Sequence, residues 1–273
     1  MNIGCHISIA GGIQNAPERA SILGCEAMQI FTRSPRGGKA PELTKEIISE
    51  FKILATKYQI LNTYIHTPYY INFASLDNKI RYGSVSIVRD ELERGSLIGA
   101  KYVMTHLGSA KGMTHEESIQ KVIETLKKTL ENYSGKTKLL LENSAGAGEI
   151  IGSSLLDLKT IINGVGSKSI AGICLDTQHS FASGYDWRDF EKTIVRINQE
   201  LGLENIKLFH INDSLTDFDS KRDRHAHIGE GKIGQIAFQN IVAFAKENET
   251  DMVLETEHDK VVEDIKLLKS FRK

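Results

Sequence analysis

Imidazoles and carboxylates recur at the ends of apolar runs in this 273-residue chain. The stretch Ile173-Cys174-Leu175-Asp176-Thr177-Gln178-His179 sets the pattern: an apolar run carries a carboxylate and closes on an imidazole. An ionised carboxylate out of water is costly unless it is paired or bound to a metal. The same grammar places His6, His66, His106, Glu142, His210 and Glu255 at the ends of other runs, and Asp223 and His225 in a polar loop, residues 212–231. Taken singly, a His at a strand end is more often a hydrogen-bonded structural residue than a ligand, and a lone Glu142 caps a turn. If these groups converge, however, like charges strain the site unless cations sit among them. Nitrogen and oxygen donors without thiolate suit zinc, manganese or iron better than calcium or magnesium. Four ligands satisfy one zinc. His66, His106, Glu142, Asp176, His179, His210, Asp223, His225 and Glu255 make nine, enough for two ions, or three if carboxylates bridge.

Such a cluster needs elements that bring distant residues together. Eight β-rich runs cover residues 3–9, 27–32, 62–66, 102–106, 138–142, 172–176, 206–211 and 252–255. Between them lie segments with helical spacing, residues 43–58, 82–97, 116–130, 155–162, 187–201, 235–246 and 261–271. In the first of these Ile47, Ile48, Phe51, Leu54 and Ala55 share a face. Thr114 before Glu116 and Glu117, and Ser153-Ser154 before residue 155, read as helix starts. Alternation of this kind predicts parallel βα units. Eight of them predict an α/β fold, a single TIM (β/α)8 barrel over residues 1–273, with the metal cluster at the C-terminal mouth of the strands. An open doubly wound sheet is the alternative, but Gly11-Gly12 lacks the spacing of its phosphate-binding turn. Strand ends read in order give His6, Arg33, His66, His106, Glu142, Asp176 with His179, His210 and Glu255, so seven of eight supply a metal-competent side chain. His115 and His258 fall at helix-start or loop positions, and His227 is unassigned.

Composition narrows the class. A net charge of -1 leaves no overall basic excess for nucleic acid, so affinity for phosphate has to come from a local patch or from bound cations. Cys5, Cys25 and Cys174 are far apart and form no CxxC, which points to reduced core thiols and a cytoplasmic location rather than a disulfide framework or thiolate zinc site. The opening residues, Asn2-Ile3-Gly4-Cys5-His6-Ile7, have no charged region and no long apolar stretch, so neither a signal peptide nor a membrane span is expected there.

Several motifs together carry a resemblance. Leu141-Glu142-Asn143-Ser144-Ala145-Gly146 resembles the E-N-[TS]-A-G signature of the endonuclease IV family of apurinic/apyrimidinic endonucleases, and residues 174–179 resemble its C-[IL]-D-T-x-H signature. His210-Ile211-Asn212-Asp213-Ser214, then Asp223-Arg224-His225 and Gly229-Glu230-Gly231, resemble its third. Gly4-Cys5-His6 with Ala10-Gly11-Gly12, and Phe31-Thr32 leading to Arg36, are similar to its opening, so the likeness spans essentially the whole chain. Gln178 stands where the pattern leads one to expect a small residue or Cys. Gly37-Gly38 stand where relatives have bulkier residues, and Thr67-Pro68 after His66 is unusual.

The resemblance implies a TIM barrel with three zinc ions. His66, His106 and Glu142 would hold one; Glu142, Asp176, His210 and Glu255 a second, with Glu142 bridging; His179, Asp223 and His225 the third. It implies hydrolysis of duplex DNA 5′ to an abasic site, leaving a 3′-hydroxyl and a 5′-deoxyribose phosphate. Water acidified by the ions is the expected nucleophile, with Glu142 as catalytic proton acceptor or orienting group. Arg36 and Arg224 are expected at phosphates, with Arg33, Lys39, Lys111, Lys221, Arg222 and Lys232 as further candidates, and Tyr69 or Tyr70 in the gap left by the missing base. The chain is expected to act as a monomer, without a membrane. Two alternatives remain. A single-metal sugar isomerase or epimerase would use Glu142, Asp176, His210 and Glu255 alone, and a non-catalytic damage-recognition protein would bind without cutting.

Overall fold

The structure is a computed structural model that describes residues 1–273. Its strands are β1 (Ile3–Ile7), β2 (Ala27–Ile30), β3 (Asn62–His66), β4 (Tyr102–Thr105), β5 (Lys138–Glu142), β6 (Ile170–Asp176), β7 (Ile206–His210), the two-residue β8 (Asp213–Ser214) and β9 (His225–Ala226), and β10 (Asp251–Leu254). Eight of them form a closed parallel barrel in the order β1-β10-β7-β6-β5-β4-β3-β2, while β8 and β9 pair antiparallel. The helices are α1 (Ala16–Ile22), α2 (Lys45–Lys57), α3 (Asn78–Ile98), α4 (His115–Leu130), α5 (Leu155–Val165), α6 (Thr177–Ala182), α7 (Phe190–Glu200), α8 (Gln235–Glu247) and α9 (Val261–Phe271). The fold is the TIM barrel expected from the alternation, and no helix is long and apolar enough to cross a membrane.

Side chains alternate across each strand, so residues two apart share a face. One buried cluster contains Ala27, Tyr64, Met104, Leu140, Cys174, Leu208 and Val253, one residue from each of seven barrel strands. Gly4 completes the ring on β1; a Cβ there would lie 1.7 Å from the Ala27 carbonyl oxygen, so only glycine fits. Two residues on from each lies a polar side chain: His6, Gln29, His66, His106, Glu142, Asp176, His210 and Glu255. The barrel interior is thus an apolar plug under a polar layer. Burial of a Met, Leu or Val side chain in the plug contributes about 1.5–3 kcal/mol each, which offsets part of the cost of holding charge above it. The remaining buried hydrophobics fill the space between strands and helices.

Local chemistry explains the element boundaries. Thr114 caps α4 in a reciprocal capping box with Glu117, and Ser154 caps α5. The helix α1 has no counterpart among the expected segments. It is short, and its buried residues are Ala16, Pro17 and Ala20, too small to mark an apolar stripe. The helix α3 starts at Asn78 rather than 82, because Asp77 caps it by accepting from Lys79 N at 2.7 Å. The first run ends at Ile7 rather than 9, where Arg19 takes the Ser8 and Ala10 carbonyls into a turn.

Glu26 ties the two ends of the chain together at the base. It accepts from Ile3 N at 3.0 Å and from both Arg272 terminal nitrogens at 2.6 and 2.8 Å, with Lys269 3.2 Å away. Burial pushes its carboxyl up, but the Arg272 and Ile3 hydrogen bonds and the two cations outweigh that and lower it to about 2. Stability from a depressed carboxyl is present above its ordinary value of 4.5 and lost as pH falls toward about 2. Glu26→Gln is expected to cost about 1 kcal/mol at neutral pH, a charge-assisted pair discounted for its partial exposure. Urea titrations should show the gap from the parent closing between pH 4.5 and 2; a gap unchanged at low pH would refute the assignment.

Candidate metal centre

Glu142 lies at the centre of the polar layer and is completely buried. Its Oε2 is 3.0 Å from His66 Nε2 and 3.4 Å from His106 Nε2, and its Oε1 is 2.8 Å from His210 Nδ1. His210 Nδ1 also lies 3.3 Å from Glu255 Oε2. Donor atoms of His66, His106 and Glu142 fall within 4.8 Å of one another, as do those of Glu142, Asp176, His210 and Glu255, and those of Asp176, His179 and His225. Asp223 faces the last set, with carboxylate oxygens 3.3 Å from His179 Nε2 and 3.3 Å from His225 Nε2. The structure therefore brings together all nine residues expected from the sequence, and Asp176 contributes to two sets rather than one.

The imidazoles are oriented from behind. His66 Nδ1 donates to the Thr67 carbonyl at 2.6 Å, His179 Nδ1 to the Asn143 carbonyl at 3.1 Å, His225 Nδ1 to the Glu255 carbonyl at 3.4 Å and His210 Nε2 to Gln29 Oε1 at 2.7 Å. Each bond leaves the other ring nitrogen facing the cluster, where it can carry a proton to a carboxylate or offer its lone pair to a cation, the arrangement that second-sphere acceptors impose on metal-bound histidines. His225 Nε2 is buried with no hydrogen-bond partner. Four carboxylates share this space with five imidazoles and no thiolate, a donor set that fits zinc.

The electrostatics agree. Burial works to raise the Glu142 carboxyl, but the charges of His106 and His210 and hydrogen bonds from His210 and His66 hold it well below the usual carboxylate range. Burial opposes ionisation of Glu255 and Asp223 too, yet neighbouring histidines bring both down to about 2. His179 shows the converse: burial lowers it, but Asp176, Asp223 and Glu142 raise it to about 10. The pocket demands positive charge, which a cation can supply in place of a proton.

The segments carrying these groups are shaped locally. Asp176 ends β6 and caps α6, accepting from His179 N at 2.7 Å, so His179 sits in the first helical turn. Asn143 and Asn212 brace Asp176: Asn143 accepts from its amide at 2.6 Å, and Asn212 Nδ2 donates to its Oδ2 at 2.7 Å. Asp213 is buried and accepts from the amides of Gly229, Gly231, Ile233 and Gly234, which folds the loop bearing Asp223 and His225 back over the mouth. Gly231 is required there, since a Cβ would come 2.4 Å from Asp213 Oδ1.

Three of the expected basic residues are engaged elsewhere. Arg33 does not reach the mouth. The strand β2 ends at Ile30, and Arg33 is buried in ion pairs with Glu91 and Asp90 of α3, so it cannot serve a phosphate. Gln29 takes the position of β2 in the polar layer, donating to Glu255 Oε1 at 2.6 Å while holding His210. Counting back from a strand of the right length would have found it. Lys221 is exposed but pairs with Asp219 at 2.6 Å, and Lys232 lies 3.7 Å from Asp217, whereas Arg36, Lys39, Arg222 and Arg224 are exposed and in no ion pair. Tyr69, 69% exposed, stands at the rim with its ring edge-on to Phe31 at 5.4 Å. Both Tyr69 and Tyr70 line the mouth cavity of about 800 Å³, together with His66, His106, His179 and Asp223. His227 sits outside the cluster, bonded to Asp264 and Asp259 at 2.7 and 3.1 Å.

Residues 17–271 match the family model described as a xylose isomerase-like TIM barrel. The chain is 38% identical to the probable endonuclease 4 of Halothermothrix orenii, covering 98% of this chain and 99% of that protein. It is 35% identical to the probable endonuclease 4 of Cenarchaeum symbiosum, over 100% and 99%. Among solved structures, endonuclease IV from Thermus thermophilus superposes with a TM-score of 0.88 at 29% identity, over 99% and 98% of the two chains. A D-tagatose 3-epimerase-like protein shares the fold at a TM-score of 0.76 and 22% identity, over 99% and 97%.

Proposed function

This chain belongs to the endonuclease IV family of apurinic/apyrimidinic endonucleases, and from that premise we propose that it is a zinc-dependent DNA repair endonuclease that hydrolyses the phosphodiester 5′ to an abasic site in duplex DNA. It acts as a single-domain monomer in the cytoplasm and leaves a 3′-hydroxyl and a 5′-deoxyribose phosphate. The observation that carries the reading is the excess of ligands: three interlocking sets meet at Glu142 and Asp176, where a single-metal isomerase needs only Glu142, Asp176, His210 and Glu255.

His66, His106 and Glu142 would hold one zinc, Glu142, Asp176, His210 and Glu255 a second, and His179, Asp223 and His225, with Asp176 alongside, a third. Zinc bound there supplies Lewis acidity, lowering the pKa of water and neutralising charge on the phosphate and the departing oxygen. Glu142, ionised and unable to turn away from its histidines, accepts a proton from the attacking water or orients it. Gln29, Asn143 and Asn212 keep the ligands in register. An abasic nucleotide leaves the duplex at low cost, since its stacking and pairing are already gone, which gives selectivity without base readout. Tyr69, exposed at the rim, would fill the vacated stack, and the exposed Arg36 and Arg224 would take flanking phosphates.

The decisive test is incubation with a duplex carrying one abasic site, with and without chelator, alongside metal analysis. Chelator-sensitive incision with about three zinc ions per chain is expected from the three donor sets. No chelator-sensitive incision would sink the reading, and about one ion per chain without nicking would favour the isomerase alternative. Arg36→Ala and Arg224→Ala should each weaken binding severalfold and reduce the slope of log affinity against log salt by about 1. A slope unaltered in both variants would remove these two arginines from the interface.

A further inference from the structure

Gln178 lies between two candidate ligands, Asp176 and His179, yet its side chain points away from them. It is completely buried on α6. Its Nε2 donates to the Arg222 carbonyl at 2.9 Å and reaches Ser214 Oγ at 3.3 Å. Its Oε1 is buried with no partner. The amide cannot be turned the other way without setting two carbonyl oxygens against each other, so its contribution lies on the donor side. A polar side chain would otherwise be a poor choice here, since an unpaired buried acceptor costs about 1–3 kcal/mol.

The acceptor explains the choice. Arg222 immediately precedes Asp223, whose side chain is 59% exposed but must stay 3.3 Å from His179 Nε2 and 3.3 Å from His225 Nε2. Over residues 219–222 the loop crosses α6 on three ties: Asp219 N donates to the Phe181 carbonyl at 3.1 Å, Lys221 N to the Ala182 carbonyl at 2.9 Å, and Gln178 supplies the third at Arg222. That third tie is the one adjoining Asp223. Thr216 Oγ1 donates to the same carbonyl at 3.2 Å from within the loop.

We propose that Gln178 is a positioning residue: its buried amide clamps the loop bearing Asp223 and His225 to the helix bearing His179, and so sets the affinity of the metal held by those three residues, leaving the other two metals untouched. The inference rests on the three-metal reading above and deepens it. It also gives a role to the residue that departs from the family signature.

Zinc titrated against a chromophoric chelator, with native mass spectrometry to count ions, tests this in the full-length chain. Gln178→Met keeps the volume and removes the clamp. The parent is expected to hold three ions from its three sets. Gln178→Met should hold two with parental affinity and the third about 10- to 100-fold more weakly, matching the ion lost in Asp223→Asn. Parental affinity at all three sites, or equal weakening at all three, would overturn the proposal. A parent that binds fewer than three overturns the three-metal reading and this inference with it. If Gln178→Met does not unfold cooperatively, Gln178→Asn, whose shorter amide withdraws from the Arg222 carbonyl while staying polar, is subject to the same two outcomes.

Discussion

Glu142→Gln is expected to lower incision at an abasic site by about a thousandfold, within the range ascribed to a positioned acid or base. The two oxygens of Glu142 serve opposite sides of the cluster, His66 and His106 on one and His210 on the other. An amide has one oxygen; its other end is a donor. One side therefore loses a carboxylate oxygen able to bind a cation and presents an N–H instead, and the anionic charge between the sets disappears. The residue is fully buried among His66, His106, His179 and His210, so rotation cannot relieve the mismatch. Turnover should be measured on protein whose zinc content and thermal unfolding match the parent. Parental turnover at full metal occupancy would show that Glu142 neither takes a proton nor orients the water.

The second large effect separates two neighbours. His179→Ala should remove one ion, spare the others and reduce incision by about a hundredfold or more. Asp176→Ala should disturb two sets, because its carboxylate lies with Glu142, His210 and Glu255 on one side and with His179 and His225 on the other. It also caps α6 and accepts from Asn212, so its loss loosens the turn that places His179. Metal counting on the two variants is the measurement. Equal depletion in both would mean that the residues serve one shared ion.

Much of this is legible from residue order. Each polar residue of the barrel layer lies two positions beyond an apolar plug residue, as with Leu140 and Glu142 or Leu208 and His210, and that period is a local property of an extended strand. The family signatures fall on the same positions. Where sequence and structure part, the cause is a tertiary contact. The second run reads on to Thr32 and carries Arg33 to the mouth, whereas the strand stops at Ile30 and an ion pair with α3 captures the guanidinium. The helix α1 gives no periodic signal, because small residues pack against the barrel without leaving an apolar stripe.

The stretch from Cys174 to His179 shows the division most clearly. By itself the sequence determined that a buried carboxylate and an imidazole close one strand, that equivalent groups close most of the others, and that their number exceeds one metal's needs. Strand alternation and the cost of burying unpaired charge are enough for that. Which ligand joins which was decided by the tertiary structure, because the partners are remote: Glu142 meets His66 from 76 residues away and His210 from 68. Closure of the barrel sets those distances, and the Asp213 and Gln178 contacts hold over its mouth the loop whose His225 joins Asp176 in a second set.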